Sequence, residues 1–303
     1  MKDGAWVPLY TKEVIDLEKS LFSGQVFSFR QTDKKEYTGV LGTCLVSFLQ
    51  DGDRVLYKVL DGDKTQEEVE AEISNFFTLD VELCPLLLRW KLDPSNLLVG
   101  LRALRYSLVP TIFSFICSSN NNISRITRMV GFLYSKGEFI TRYKGVDFYY
   151  FPSVEKLVDI EDELRSNGFG YRSSYICNAA RYLLGNRLDY QRTSEIREMM
   201  VSIKGIGYKI ADCILLIGAG DLSVVPIDTH IFNHSRKVFG INEKRLSRKM
   251  YGTIQELYRR RFGEYAGIAQ LYIFKGMVDL RRKKPKQRLE LLRRSLDSFD
   301  DIE

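Results

Sequence analysis

The pattern of apolar and polar residues changes along the chain, from short strand-like runs to longer helical stripes. Four short runs rich in β-branched and aromatic residues predict strands at 26–29, 37–41, 44–49 and 55–60. Asp51-Gly52-Asp53 is typical of a hairpin turn, so we expect an antiparallel sheet in this region. Thr65-Gln66-Glu67-Glu68 matches a capping box and predicts an amphipathic helix directly after the sheet.

From about Gly100 onward the apolar residues follow helical spacing. Ile123, Ile126, Val130 and Leu133 lie on one helical face and predict a helix that ends near residue 137. Further helices are predicted at about 153–164, 171–184, 243–261 and 265–280. We therefore expect an α+β fold, with an N-terminal antiparallel sheet domain (1–98), a helical domain (99–287) and a C-terminal tail (288–303).

The charge balance permits a nucleic-acid partner without requiring one. The 303 residues include 45 Lys and Arg against 39 Asp and Glu, which gives a net charge of +6. No apolar run approaches the length of a membrane span, and the first residues, MKDGAWVPLY, lack the apolar segment of a signal peptide. We expect no membrane partner.

The cysteines do not form a metal-binding pattern. The five cysteines are dispersed, at Cys44, Cys84, Cys117, Cys177 and Cys213, and none belongs to a CxxC pair. Neither a structural zinc site nor a four-cysteine iron–sulfur loop is expected. The odd count fits a reducing compartment. We predict that the protein uses no metal and no cofactor.

Residues 197–218 predict two helices joined by a tight turn. Gly205 and Gly207 occupy the turn, where we expect a residue with a Cβ to be resisted. The second helix has an apolar face formed by Ile210, Cys213, Ile214 and Ile217. Consecutive backbone N–H groups at such a turn form a site suited to a phosphate.

Lys209 and Asp228 are the candidate reactive pair. Lys209 stands at the start of the second helix, and Asp228 follows a Val-Val-Pro-Ile segment and is expected to open the next helix. A desolvated lysine can attack an electrophilic carbon, and a nearby carboxylate can stabilise developing positive charge. Together with a phosphate site, this pair suggests cleavage of a nucleoside on a nucleic-acid strand. On the residues alone, a surface lysine and a carboxylate that only caps a helix remain open alternatives.

Six ordered segments carry a resemblance to a known family. KGIGYKIAD followed by VVPIDTH resembles the helix-hairpin-helix, Gly/Pro-rich loop and aspartate signature of the base-excision DNA glycosylases. The other five segments resemble eukaryotic-type 8-oxoguanine DNA glycosylase/AP lyase, in that family's order: LFSGQVFSF (21–29), FSFICSSNNNISRIT (113–127), FPS (151–153), GFGYRSSY (168–175) and YAGIAQLYIF (265–274). The resemblance implies a two-lobed helical body with the active cleft between the lobes.

The resemblance also implies a reaction. Lys209 matches the family's Schiff-base lysine, which attacks C1′ of the damaged nucleotide, releases 8-oxoguanine and allows β-elimination on the 3′ side. Asp228 matches the aspartate that stabilises the oxocarbenium-like transition state. The implied partner is duplex DNA with 8-oxoguanine opposite cytosine, bound by a monomer. A family of eukaryotic type favours the nucleus, with a mitochondrial form as the alternative. The basic cluster at 281–286 is either an import signal or a solvated helix end.

Four residues match the family's base pocket. The backbone carbonyl of Gly24 would accept the N7–H hydrogen that distinguishes 8-oxoguanine from guanine. Gln270 would read the Watson–Crick edge, and Phe274 and Cys213 would lie on either side of the ring. Ordinary core packing is the alternative for Phe274 and Cys213.

Seven residues match the family's DNA contacts. Asn120, Arg125 and Arg172 would contact the cytosine left without its partner, and Tyr171 would wedge into the duplex. Helix-surface charges are the alternative for the two arginines. The remaining three residues would contact phosphates, through the backbone amides at Gly205 and Gly207 and through the side chain of His230.

Two other functions are compatible with the same motifs. The scaffold also suits excision of other lesions, such as alkylated bases, although Gly24 and Gln270 argue against that reading. A non-catalytic DNA-binding module would use only the hairpin and would need neither Lys209 nor Asp228. Their presence together favours the enzyme.

Overall fold

The computed structural model describes residues 5–92, 98–186 and 193–282. The N-terminal part contains a five-stranded sheet and the later part a two-stranded hairpin. The strands are β1 (Val7–Leu9), β2 (Arg30–Asp33), β3 (Glu36–Leu41), β4 (Cys44–Asp51), β5 (Arg54–Asp61), β6 (Phe139–Tyr143) and β7 (Val146–Tyr149). All pairings are antiparallel, in the order β1-β5-β4-β3-β2 for the large sheet, which confirms the predicted sheet.

The rest of the described chain is mainly helical. The helices are α1 (Leu17–Leu21), α2 (Gln66–Phe76), α3 (Leu83–Arg89), α4 (Leu108–Ser118), α5 (Ile123–Tyr134), α6 (Glu161–Ser166), α7 (Arg172–Gly185), α8 (Thr193–Ser202), α9 (Tyr208–Gly218), α10 (Thr229–Val238), α11 (Arg248–Phe262) and α12 (Ala266–Arg282). Among the described helices, none combines the length and the apolar character needed to cross a membrane. The predicted α+β architecture is confirmed.

The helix α2 covers the large sheet through an aromatic core. Its capping box at Thr65 and Glu68 is present, as predicted. The Phe48 ring of β4 has its centroid 6.4 Å from that of Phe76 on α2 and 5.3 Å from that of Phe77, the next residue. Aromatic burial of this kind anchors the sheet to the rest of the molecule.

The strand predicted at 26–29 is wrong. This segment is largely buried but belongs to no strand, and the following strand β2 begins only at Arg30. The residue before this segment explains why no strand forms. The Gln25 side chain hydrogen-bonds to backbone groups of a neighbouring segment. Its amide donates to the Arg102 carbonyl at 2.9 Å and accepts from the Leu104 N–H at 2.9 Å. The backbone of residues 102–104 is therefore bonded to a side chain and not to a neighbouring strand. The same two hydrogen bonds hold the loop that carries Gly24 against residues 102–104.

The chain after Gly100 was expected to be helical, and this expectation is wrong for β6 and β7, which form an antiparallel hairpin. The two strands join through Lys144 and Gly145, with φ of 47° and 82°. Positive φ at both central residues suits the twist of a two-residue hairpin. The Lys144 amine reaches the large sheet, at 2.7 Å from Asp33 and 2.6 Å from Glu36. The hairpin therefore links the later part of the chain to the N-terminal sheet.

Two predicted helices have different limits in the structure. The helix expected at 153–164 is a 3-10 turn (Val154–Leu157) followed by α6. The carbonyl of Val158, between them, accepts from the Arg181 guanidinium at 2.9 Å instead of continuing a helix. The helix expected from residue 243 begins five residues later, where Ser247 caps α11 by accepting from the Met250 N–H at 3.2 Å.

The predicted domain boundary at 98/99 stays a prediction, since residues 93–97 lie outside the described part. The tail at 288–303 also lies outside it. Shortly after that boundary, Arg102 is buried, and its guanidinium donates to the carbonyls of Phe77 and Val81, each at 2.9 Å. The segment that leads into the helical part is thus anchored in the sheet domain.

Two buried helices form the centre of the helical part. The helix α4 is apolar on almost every face, and α9 packs along it. Gly218 at the end of α9 allows this approach, since a Cβ there would lie 2.7 Å from Leu108 Cδ1. This packing places the start of α9 beside the aromatic residues of α4.

Candidate active site

The turn between α8 and α9 depends on one glycine. Gly205 has a φ of 100°, and a Cβ at that position would lie 2.3 Å from Cγ of Tyr175. Gly207 has a φ of −91° and open space where its Cβ would be. The expectation that both positions resist a Cβ is therefore correct for Gly205 and wrong for Gly207. The turn closes because Gly205 lets the backbone lie flat against the Tyr175 ring of α7.

Lys209 is the second residue of α9 and is partly buried. Its amine lies 5.8 Å from the centroid of the Phe115 ring on α4. Phe115 in turn makes an edge contact with Phe27, at 6.1 Å between centroids. The amine therefore stands beside an aromatic wall that limits its hydration, as the sequence suggested.

Asp228 caps α10, as predicted. Its side chain accepts from the Ile231 N–H at 2.8 Å. The segment before it, residues 224–227, is buried, which fixes where the cap stands. One carboxylate oxygen serves the helix, and Asp228 keeps a second oxygen for other chemistry.

Cys213 lies on α9, one turn after the candidate nucleophile Lys209. The thiol is buried, with 8% of the residue exposed, and burial raises its pKa. The positive charge of Lys209 opposes that rise in pKa, and the negative charge of Asp228 adds to it. Both charged groups therefore act on the same neutral thiol. Lys209 and Asp228 are thus both within electrostatic range of Cys213.

The helix α12 supplies the other predicted pocket residues. Gln270 is 8% exposed. A largely buried amide of this kind suits recognition of a polar ligand edge. Phe274 follows one turn later, and its ring centroid lies 6.2 Å from that of His230 on α10. These contacts place α12 beside the helix that Asp228 caps.

Gly24 lies next to the helix that carries a second group of predicted residues. Its φ is 92°, a conformation that favours glycine. A Cβ at this position would lie 3.7 Å from Cδ1 of Ile123, the first residue of α5. The loop that carries Gly24 therefore meets the helix that carries Arg125.

Asn120, Arg125 and Tyr171 lie on two neighbouring turns. Asn120 is exposed, with a φ of 45°. The Arg125 guanidinium donates to the Gly168 carbonyl at 2.8 Å. Tyr171 is 45% exposed, and its hydroxyl donates to the Ser119 carbonyl at 3.1 Å. The structure thus brings these three side chains to one edge, beside the Tyr175 ring that supports the hairpin.

Arg172 differs from the other predicted DNA contacts. It is only 2% exposed. Its guanidinium donates to the carbonyls of Ser119, Asn120 and Phe169, with 3.1 Å to that of Asn120. In this arrangement Arg172 holds the turn that presents Asn120, and it would have to leave these carbonyls to reach a base. Its contact with cytosine stays a prediction.

The sequence reasoning missed a buried polar cluster next to the pocket. Asp212 is fully buried, and its carboxylate accepts from Arg197 at 2.6 and 3.1 Å, from the Tyr251 hydroxyl at 2.5 Å and from the Gln255 amide at 2.9 Å. We call these four side chains the Asp212 cluster. The signal in the sequence is an aspartate inside the apolar run of α9, because a buried carboxylate requires donors.

The side chains at the site define what it can do. Lys209 and Asp228 both act electrostatically on Cys213, and Phe274 of α12 lies beside α10. An amine near a carboxylate suits a covalent reaction of lysine in which positive charge develops on the ligand. Within the described ranges there is no group of three His, Cys, Asp or Glu residues placed to hold a metal ion. The predicted absence of a metal and of a cofactor stays a prediction.

Comparison with known proteins identifies the class and then the family. Residues 113–260 match the model of the HhH-GPD superfamily of base excision DNA repair proteins, and residues 8–111 match the N-terminal domain of 8-oxoguanine DNA glycosylase. The chain is 32% identical to the N-glycosylase/DNA lyase OGG1 of Arabidopsis thaliana over 289 residues, which cover 89% of this chain and 79% of that protein. The chain belongs to the 8-oxoguanine DNA glycosylase family, as the sequence motifs predicted.

Solved structures agree with this assignment. The structure of MBOgg1 in complex with a low-affinity DNA ligand has a TM-score of 0.76 and 26% identity, and covers 89% of this chain and 97% of its own. The 8-oxoguanine glycosylase/lyase of Clostridium acetobutylicum, in complex with DNA containing cytosine opposite 8-oxoguanine, has a TM-score of 0.75 and covers 91% of this chain and 98% of its own. At 24% identity, the second likeness concerns the fold.

The two hairpin glycines predict opposite results on substitution. We expect Gly205→Ala to lower the free energy of unfolding by about 2 kcal/mol or more, since it combines a positive φ with a clash against Tyr175. Gly207→Ala, the matched control, should change that free energy by less than about 1 kcal/mol. Urea denaturation of both variants measures this. Equal losses would contradict the structural difference between the two positions.

Proposed function

We propose that this chain excises 8-oxoguanine opposite cytosine from duplex DNA and then cleaves the strand on the 3′ side of the abasic site. The observation that carries the proposal is the placement of Lys209 in the first turn of α9, with its amine 5.8 Å from the Phe115 ring centroid, and of Asp228 at the cap of α10, both within electrostatic range of Cys213. The family membership supports the same chemistry, since the Arabidopsis relative is named as both a glycosylase and a DNA lyase.

In the proposed reaction, Lys209 is the nucleophile. Its neutral amine forms a bond to C1′ while the glycosidic bond breaks, and the base leaves with the bonding electrons and takes up a proton. The nitrogen then loses one proton, and its lone pair breaks the bond from C1′ to the ring oxygen, which takes up a proton; the product is a protonated imine. Loss of a proton from C2′ expels the 3′ oxygen with its phosphate and cleaves the strand. The Asp228 carboxylate stabilises the positive charge that develops on the sugar.

The base is recognised by the four pocket residues. The Gly24 carbonyl accepts the N7–H of 8-oxoguanine, and Gln270 pairs with the Watson–Crick edge of the base. Phe274 and Cys213 pack against its two faces. The buried amide of Gln270 and the neutral thiol of Cys213 support these roles. A base that lacks the N7–H would leave the Gly24 carbonyl without a donor, which costs roughly 1–3 kcal/mol.

The DNA is held around the vacated position. Tyr171 fills the gap in the base stack, while Asn120 and Arg125 contact the cytosine. Arg172 stabilises the turn that presents Asn120, and it contacts the cytosine only if its hydrogen bonds to the backbone carbonyls break. Flipping the base costs a few kcal/mol, which these contacts offset. The remaining contacts are to phosphates: the amides at Gly205 and Gly207, and His230.

The lysine nucleophile is tested by trapping. We expect borohydride to trap a covalent adduct between the wild-type protein and a duplex carrying one 8-oxoguanine opposite cytosine. Lys209→Gln should abolish the adduct and reduce base release at least about 100-fold, because it removes the attacking amine. Lys204→Gln is the matched control, since Lys204 is an exposed lysine on the same hairpin.

The results separate the candidate functions. An adduct that persists with Lys209→Gln would contradict the assignment of the nucleophile. Base release without an adduct in the wild type would indicate a glycosylase that lacks the lyase step. Binding to abasic DNA without any cleavage would favour a non-catalytic module, and release of alkylated bases alone would favour another lesion.

The contact with cytosine predicts a change in opposite-base preference. We expect Arg125→Ala to reduce the preference for cytosine over adenine opposite 8-oxoguanine by about 10-fold, because one good base contact contributes about 1–3 kcal/mol of discrimination. Arg128→Ala removes an exposed charge from the same helix and should weaken binding to all duplexes equally. Single-turnover rates on the paired duplexes measure both effects. An unchanged ratio with Arg125→Ala would refute the contact.

We further propose that the protein acts as a monomer. We also propose that it is located in the nucleus, with a mitochondrial form as the alternative. The basic cluster at 281–286 supports nuclear import. Microscopy of the tagged full chain, with and without Lys283→Ala and Lys284→Ala, tests this; unchanged distribution would remove the support of the cluster. Sedimentation of the free protein tests the monomer.

A further inference from the structure

The Asp212 cluster lies between the two segments that carry the reactive groups. Asp212 is on α9, three residues after Lys209 and next to Cys213. Two of its donors, Tyr251 and Gln255, come from α11, one helical turn apart. A third donor, Arg197, comes from α8. The carboxylate therefore joins the helix that carries Lys209 to two neighbouring helices.

Both donors from α11 also bind the segment that leads to Asp228. The Tyr251 hydroxyl accepts from the Ile227 N–H at 3.1 Å while it donates to Asp212. The Gln255 amide donates to the Val225 carbonyl at 3.1 Å as well as to Asp212. Each side chain thus spans from the α9 carboxylate to a backbone group within three residues of Asp228.

The cluster also borders the first turn of α9. The Arg197 guanidinium lies 4.9 Å from the centroid of the Tyr208 ring, and the rings of Tyr208 and Tyr251 are 5.8 Å apart. Tyr208 immediately precedes Lys209. The position of Lys209 is therefore set by two contacts of the same cluster, one through Asp212 and one through Tyr208.

We propose that Tyr251 is a positioning residue for base excision, which acts through the Ile227 N–H and Asp212 to set the position of Asp228 relative to Lys209. Gln255 supports the same link through Val225. This role rests on the function proposed above and adds residues that touch neither the base nor the DNA.

The physical basis is the rigidity of a fully satisfied buried network. Asp212 has no access to water, so loss of any donor leaves part of its desolvation uncompensated. The Tyr251 hydroxyl is both a donor and an acceptor in the link, and burial beside Asp212 raises its pKa, which keeps it protonated. Removal of that one oxygen frees the Ile227 N–H and lets the segment before Asp228 shift.

Tyr251→Phe tests the proposal because it removes the hydroxyl and keeps the ring. We expect the single-turnover rate of 8-oxoguanine release to fall about 10- to 100-fold, which is the cost of a small displacement of reacting groups. The Kd for a duplex with an uncleavable abasic analogue should change less than about 3-fold, because no DNA contact is lost. If Tyr251→Phe folds poorly, Gln255→Met serves as the second variant, since it keeps the side-chain length and loses the amide. It should show the same fall in rate and the same small change in Kd.

Tyr258→Phe is the matched control. Tyr258 is a buried tyrosine on α11, two turns from Tyr251, and its hydroxyl takes no part in the Asp212 cluster. A purely structural role for the Tyr251 hydroxyl would lower the melting temperature of Tyr251→Phe and leave the rate of release unchanged in both variants. A fall in rate confined to Tyr251→Phe supports positioning.

Coupling to Asp228 gives the decisive comparison. Asp228→Asn removes the charge but keeps a residue that caps helices well. If Tyr251 acts through Asp228, Tyr251→Phe should slow the residual rate of the Asp228→Asn protein less than about 2-fold. An equal loss in both backgrounds, or no loss in either, overturns the proposal.

A failure of the proposed function would look different. If the wild type does not release 8-oxoguanine, the wild type, Tyr251→Phe and Tyr258→Phe are compared in borohydride trapping on a preformed abasic duplex, which needs Lys209 but no particular base. A trapping defect in Tyr251→Phe would then support the positioning role independently of the lesion. Wild-type trapping rates in Tyr251→Phe would overturn it.

Discussion

The carboxylate of Asp212 is entirely removed from water, and the arrangement of the helical part depends on how it is satisfied. A buried carboxylate is tolerated only with several well-placed donors. Those donors come from α8, which precedes α9 in the chain, and from α11, which follows it. Both helices must therefore pack close to α9. The constraint fixes the helices on either side of the hairpin before any ligand is bound.

The reactive groups then occupy helix starts, where the backbone assists each one differently. Lys209 stands in the first turn of α9, where the helix dipole disfavours a cation and the Phe115 ring limits hydration. Asp228 caps α10, where the dipole favours an anion. The helix dipole therefore acts in opposite directions on these two charges.

Local patterns predicted the elements well, and tertiary contacts account for the rest. The capping box at Thr65 and the cap at Asp228 follow from neighbouring residues alone, so the sequence indicated both. The segment at 26–29 looked like a strand because its residues are apolar, but a distant partner for Gln25 decided its conformation. The Asp212 cluster unites residues from three separate helices, and the burial of Arg172 depends on carbonyls some fifty residues away; neither follows from spacing in the chain.

The central claim is that one lysine, placed by the hairpin and the buried carboxylate behind it, forms the covalent link to the sugar. The most direct measurement is peptide mass spectrometry of the borohydride-reduced adduct between the wild-type protein and a duplex with 8-oxoguanine opposite cytosine. The account predicts that the sugar remnant is found on Lys209 alone. Modification at Lys204, at the N-terminal amine or at several lysines would contradict it.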